Sequence, residues 1–106
     1  MATFDDILRC HHVERVELTA WIEQRWVRPR PTRQGYEFDE VDEARIQLIG
    51  ELRRDLMLDD DALGLILSLL DQLYATRRML RSVEEALEAL PEPIRQQISA
   101  KIRNTL

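Results

Sequence analysis

Residues 62–90 read ALGLILSLLDQLYATRRMLRSVEEALEAL, a leucine-rich stretch without proline whose only glycine is Gly64. Two rows of positions with a seven-residue repeat run through it, interrupted only by Thr76. The rows are Ile66, Leu73, Leu80 and Leu87, then Leu69, Thr76, Val83 and Leu90. They predict the a and d positions of a coiled-coil seam on one long helix. We favour a second copy of the chain as the cover for this seam; the alternative is packing within one monomer.

Composition limits the classes of function. The chain has 106 residues, 44% hydrophobic residues and a net charge of −5, which predicts one domain and argues against nucleic-acid coats and membrane-surface binders. The lone Cys10 suits a reducing compartment, and no apolar run approaches the ~20 residues of a membrane span. No catalytic motif occurs. We expect a soluble cytoplasmic protein that is not an enzyme and has no cofactor or metal site.

The first sixty residues predict a helix-turn-helix and a hairpin. Thr3 with Asp6 resembles a capping box for a short helix, and a second short helix follows over residues 15–24. We expect His11 and His12, between them, to be exposed or to cap a helix. Three stretches of the chain are predicted: residues 1–58 form a winged helix-turn-helix, residues 59–90 the long helix, and residues 91–106 a short amphipathic helix or tail whose apolar positions are Ile94, Ile98, Ile102 and Leu106.

A small wing is predicted after the second helix. Residues 25–33 hold two prolines, which exclude a helix, and no acid. Residues 36–38 alternate as in a strand after Gly35, and we expect Trp26 and Val27 to form the other arm. The arginines that could contact a phosphate backbone are Arg25, Arg28, Arg30 and Arg33. The alternative is a solvated hairpin whose arginines pair with the acids that follow.

A third helix should run from an N-cap at Asp39 to about Asp55, followed by the long helix after an N-cap at Asp59. We expect Arg45 to point outward from the third helix. Its predicted apolar stripe is Val41, Ala44, Leu48, Ile49 and Leu52.

This order of elements resembles the MerR-type winged helix-turn-helix, a mainly α fold with a β-hairpin wing and a long C-terminal dimerisation helix. The residues that carry the resemblance are Trp26-Val27-x-Pro29, Gly35-Tyr36-x-Phe38-Asp39, Val41 and Ala44-Arg45. Within that superfamily the chain looks most like the CbpM-type chaperone modulators. The matching stretches are Phe38-Asp39, residues 52–56 and residues 67–73. The resemblance implies a protein that binds the J-domain of a DnaJ-like co-chaperone and keeps it from engaging its Hsp70 partner.

The predicted recognition helix departs from a DNA-binding one. From Glu14 to Arg25 there are three acids and two arginines. The carboxylates of Glu14, Glu17 and Glu23 would meet the phosphate field unfavourably. Arg25 also replaces the glycine that usually closes this helix in the family.

Two functions therefore stand. For a chaperone modulator, we expect the third helix and the head of the long helix to present acids to the basic helix of a J-domain. Those acids are Glu40, Glu43, Asp55, Asp59, Asp60, Asp61 and Asp71. The predicted homodimer interface is Leu73, Leu80, Val83, Leu87 and Leu90. The alternative is a small dimeric MerR-like DNA-binding regulator that uses the wing arginines.

Overall fold

A computed structural model describes residues 1–105, which form five helices and a three-stranded sheet. The elements in chain order are β1 (Ala2–Thr3), α1 (Phe4–His11), α2 (Arg15–Glu23), β2 (Arg30–Thr32), β3 (Gly35–Phe38), α3 (Glu40–Asp55), α4 (Asp60–Glu88) and α5 (Glu92–Thr105). The mainly α class, the wing and the long helix are as the sequence predicts.

The chain divides into two compact units inside α4, the first being Met1–Leu67 and the second beginning at Ser68. All the buried hydrophobic side chains among the described residues belong to the first unit. They are Ile7, Val13, Leu18, Trp21, Val27, Phe38, Ile46, Ile49, Leu63 and Leu67. The hydrophobic core is therefore that of the winged helix-turn-helix together with the first turns of α4.

The predicted capping box begins α1. The Thr3 hydroxyl accepts a hydrogen bond from the Asp6 N–H at 3.2 Å, and the Asp6 carboxylate accepts one from the Thr3 N–H at 3.0 Å. Satisfying two otherwise unpaired N–H groups fixes the start of the helix. His12 ends α1 in the left-handed conformation, with φ of 54°. The short turn that follows leads into α2, so the helix-turn-helix is confirmed.

The wing differs from the prediction in one arm. Its strands are antiparallel in the order β1-β3-β2, and the arm that pairs with β3 is Arg30–Thr32. Trp26 and Val27 instead close α2, because both of their N–H groups donate to the Trp21 carbonyl, at 3.0 and 3.4 Å. Pro31 is tolerated in β2 because this is an edge strand, where a missing N–H leaves no inner ladder bond unmade. Strand β1 was not predicted.

The buried side of α3 agrees with the prediction only in part, because Ile49 is buried as predicted but Val41 and Ala44 are not. Asp42, Ile46 and Ile49 are buried, whereas Val41 is 73% exposed. Ala44 is exposed as well, and Leu48 and Leu52 are half-buried. The capping box places Asp42 on the inner side of the first turn, since its carboxylate accepts the Asp39 N–H at 3.0 Å. Residues four and seven positions later then share that side.

Arg45 does not point outward. Its Nε–H donates to the backbone carbonyl of Trp26, and its side chain is half-buried. A guanidinium can satisfy a carbonyl at the end of a neighbouring helix while its methylene stem packs against apolar groups. Arg45 therefore joins α3 to the segment that closes α2.

The head of α4 belongs to the core of the first unit. The Asp59 carboxylate accepts the Ala62 N–H at 2.8 Å, as the predicted N-cap requires. Leu63 and Leu67 are fully buried. A Cβ on Gly64 would lie 3.7 Å from Cζ2 of Trp26, so α4 approaches the indole ring closely at this point.

The second unit holds the rest of α4 and α5. The predicted C-terminal helix is present, with Pro93 in its first turn, where the missing N–H leaves no helical bond unmade. Its predicted apolar positions are only partly covered, because Ile98 is half-buried and Ile94 and Ile102 are about half exposed. Leu106 lies outside the described residues. No helix in residues 1–105 combines the length and apolar character that a bilayer span needs.

Candidate partner-binding surface

Several of the seven predicted acids have structural partners. The Glu43 carboxylate lies 3.3 Å from Nε2 of His11, and this contact joins α3 to the end of α1. His11 is therefore largely covered, contrary to the expectation of an exposed or capping residue. Asp60 pairs with Arg53, with Oδ1 to Nη1 at 2.5 Å, and Asp59 caps α4.

The remaining acids do not form one cluster. Glu40, Asp55 and Asp61 are exposed, and Asp71 is a half-buried residue of the second unit. Glu40 begins α3 and Asp55 ends it, so at 1.5 Å per residue they lie about 22 Å apart along the axis. The predicted surface on the first unit is therefore two separate groups, one around Glu40 and one in residues 55–61.

Exposed hydrophobic side chains accompany the second group. Leu56 is 63% exposed, Met57 is 85% exposed and Leu65, on the first turns of α4, is 63% exposed. Sequence reasoning missed these residues. The available signal was a Leu-Met pair placed immediately after the end of a helix and between acids, where polar turn residues are usual.

The outward face of α2 carries no cation. Val16, Thr19, Ala20 and Glu23 are exposed and recur at the three- and four-residue spacing of one helical face. The single arginine within α2, Arg15, instead pairs with Asp5 at 2.9 Å, and its guanidinium lies 5.1 Å from the centre of the Phe4 ring.

The wing presents a mixed charge. Arg30 pairs with Glu37 across the β2–β3 ladder, as the solvated-hairpin alternative expects. Arg25, Arg28 and Arg33 are exposed. Arg25 follows α2 with φ of 62°, the left-handed conformation that glycine adopts most easily. These three exposed arginines therefore lie at the exit of α2 and on the wing, whereas the exposed Arg15 lies at the first residue of α2 and pairs with Asp5.

The family model described as MerR HTH family regulatory protein matches residues 2–85. The chain belongs to this MerR family. No curated protein and no solved structure matches the chain. The match spans the helix-turn-helix, the wing, α3 and most of α4.

Two carboxyl groups at the start of α3 in this MerR-family chain, Asp39 and Asp42, have pKa values shifted in opposite directions. Burial raises the pKa of the Asp42 carboxyl above its usual value of 3.8. The Asp42 backbone N–H, donated to the Asp39 carboxylate at 2.8 Å, lowers the pKa of Asp39. Both carboxylates therefore accept hydrogen bonds at the start of α3, where Asp42 is buried and Asp39 is exposed beside Glu40.

The predicted seam of the MerR-family chain is open. Leu73, Leu80, Val83 and Leu90 are between 36% and 57% exposed, and Leu87 is half-buried. α5 contributes no buried residue to the second unit. The apolar side of α4 beyond Ser68 is therefore available to another surface.

Proposed function

We propose that this MerR-family chain is a protein-binding modulator that engages the J-domain of a DnaJ-like co-chaperone in the cytoplasm and inhibits its action with Hsp70. The observation that carries the proposal is the outward face of α2, where Val16, Thr19, Ala20 and Glu23 offer no positive charge. In a DNA-binding helix-turn-helix this face enters the major groove.

A helix face without cations is poorly suited to bind DNA, because it cannot neutralise the negative charge of the phosphates. Non-specific DNA affinity comes from lysine and arginine side chains that neutralise phosphates and release counterions. Here the arginine of α2 is offset by Asp5 in an exposed ion pair, Glu23 is acidic, and the whole chain carries a net charge of −5. These features weaken attraction to DNA and favour a basic protein partner.

The acids near the α3–α4 turn suit that partner. Asp55 and Asp61 are exposed carboxylates, and Asp55 lies in residues 52–56, one of the stretches in which the chain resembles CbpM-type modulators. A strongly basic helix of a J-domain would gain association rate and selectivity from them, because opposite charges steer encounter. Glu40 forms a second acidic position at the other end of α3.

We also propose that the protein works as a homodimer. The open seam of Leu73, Leu80, Val83, Leu87 and Leu90 supports this, since heptad positions of this kind are covered by a partner helix in coiled coils. α5 leaves these positions exposed, so intramolecular packing gives them little cover.

A calorimetric titration of the protein with the isolated J-domain tests the proposal. We expect saturable binding that weakens at least tenfold in Asp61→Lys, because Asp61 is exposed and makes no capping contact. Arg33→Glu, an exposed charge reversal on the wing, is the matched control and should bind as the wild type does. If the titration shows no heat of binding at micromolar concentrations of the two proteins, the proposal is contradicted.

The second candidate is a DNA-binding regulator, which family membership and the exposed Arg28 and Arg33 favour. Gel-shift titrations with random duplex DNA at several salt concentrations separate the two functions. A regulator should bind strongly at low salt, lose affinity steeply as salt rises, and weaken in Arg33→Glu. The modulator should give no shift.

A further inference from the structure

The turn between α3 and α4 exposes an apolar pair. Leu56 is 63% exposed and Met57 is 85% exposed. Large side chains at this exposure leave apolar area in water that a partner could cover. Leu56 is the C-cap residue of α3 and Met57 follows it in the left-handed conformation, but these are backbone roles that do not need a large apolar side chain. The covered leucines nearby are Leu63 and Leu67.

The first turns of α4 carry further exposed side chains near this turn in the sequence. Leu63 and Leu67 are buried, so positions two residues away from Leu63 lie on the opposite side of the helix. Asp61 and Leu65 occupy that side, four residues apart, and both are exposed. Side chains at this spacing are neighbours, with about 5–6 Å between their Cβ atoms.

The charges around this surface are predominantly negative. Arg53 is paired with Asp60, and Arg54 folds back along α3, where its Nη2 lies 3.2 Å from the position of a Cβ on Gly50. Asp55 and Asp61 remain as exposed carboxylates on either side of the Leu56–Met57 pair in the chain, and the Asp59 carboxylate lies between them. An apolar centre with this rim matches a basic amphipathic helix.

We propose that Leu56 and Met57 are the apolar anchor of a partner-binding surface that also includes Leu65, with Asp55 and Asp61 as its charged rim. The occupant is a basic helix that buries an apolar side chain against Met57 while its lysines or arginines meet the rim. The inference rests on the proposed function and deepens it: of the two acidic groups, binding is centred on the one in residues 55–61, and Glu40 lies outside it.

The backbone at Met57 allows a clean truncation. Met57 has φ of 55°, which glycine adopts without a Cβ clash. Met57→Gly therefore removes the exposed side chain and leaves the chain free to keep its turn. Met57→Asn, a second residue type tolerated in the left-handed region, makes the same test with a polar side chain.

Calorimetric titration of the full chain with the isolated J-domain decides the matter. We expect Met57→Gly, Met57→Asn and Leu56→Ala each to raise Kd at least tenfold without lowering the thermal unfolding midpoint. Val16→Ala and Val41→Ala are matched controls, since these side chains are 78% and 73% exposed and lie elsewhere; both should bind as the wild type does.

Two adverse results are distinguishable. If the wild type binds, Asp61→Lys weakens binding, and the Leu56 and Met57 variants bind normally, the anchor is wrong and the proposed function stands. If the wild type does not bind the J-domain, the proposed function and the anchor both fall.

Discussion

Three residues other than glycine adopt positive φ in the described chain, and each follows or ends a helix. They are His12 at 54°, Arg25 at 62° and Met57 at 55°. Helices commonly end in a left-handed residue, usually glycine, because side chains with a Cβ are strained there. At Arg25 the resemblance to MerR-type domains implies a glycine, so this chain keeps the turn without the residue that best fits it.

Arg25→Gly should stabilise the protein. The left-handed conformation costs a non-glycine residue roughly 1–2 kcal/mol, and glycine adds about 0.5–1 kcal/mol of unfolded-state entropy. The difference predicts a gain of about 0.5–1 kcal/mol in the free energy of unfolding, measured by urea denaturation. Arg25→Lys retains the strain and should show no gain. A loss of stability in Arg25→Gly would mean that the Arg25 side chain stabilises the fold.

Asp42 gives a pH-dependent prediction. Its pKa is raised in the folded protein by burial, so the stability it contributes is fully present below pH 3.8 and falls as pH rises through the folded pKa. Asp42→Asn keeps an oxygen acceptor for the Asp39 N–H and removes this titration. The stability of the variant relative to the wild type should therefore rise between pH 3.8 and neutral pH in urea unfolding series. If the difference in stability between Asp42→Asn and the wild type does not change with pH, burial does not raise the pKa of Asp42 as described.

At the scale of elements, helix starts could be predicted from the sequence and helix faces only partly. Thr3, Asp39 and Asp59 are caps whose action is local, and all three make the expected hydrogen bonds. The wing arm was misplaced because Trp26 and Val27 satisfy a carbonyl of α2 instead of a strand partner. The buried side of α3 depends on Asp42, a polar residue that a search for apolar periodicity omits.

A substitution of Asp55, at the end of α3, should change stability and partner binding in opposite directions. A carboxylate in the last turn faces the negative end of the helix dipole, an arrangement that costs about 0.3–1 kcal/mol. Asp55→Lys should therefore raise the free energy of unfolding slightly while weakening J-domain binding. Denaturation and calorimetry on the same preparation measure both. Glu40→Lys is the complementary control, because it removes an acid from the favourable end of α3 and should lower stability with little effect on binding.

At the scale of the whole molecule, burial is unequal between the two units. The described buried hydrophobic side chains all lie in Met1–Leu67, and the second unit exposes its heptad leucines. The seam was visible in the sequence because a seven-residue repeat is local information. The candidate site was less predictable from the sequence. Asp60 and Glu43 form ion pairs with Arg53 and His11, which are contacts made by the folded chain. The exposure of Met57 likewise depends on the turn that it occupies.

The exposed heptad seam of α4 predicts a dimer, and charged residues introduced into the seam should dissociate it. A double change of Leu80 and Val83 to glutamate places four carboxylates in a two-chain interface, where burial without partners is unfavourable. Sedimentation equilibrium at micromolar concentration should show a dimer for the wild type and a monomer for the variant. Arg78→Glu, which lies outside the a and d rows, should remain dimeric. A monomeric wild type would contradict the proposed dimer.

The most direct test of the proposed function is the ATPase rate of Hsp70 stimulated by the DnaJ-like co-chaperone, measured while this protein is added. We expect the stimulated rate to fall towards the basal Hsp70 rate as the protein approaches the concentration of the co-chaperone. Asp61→Lys should shift this inhibition curve to higher protein concentration. A stimulated rate that stays unchanged at a large excess of the protein would contradict the proposed function.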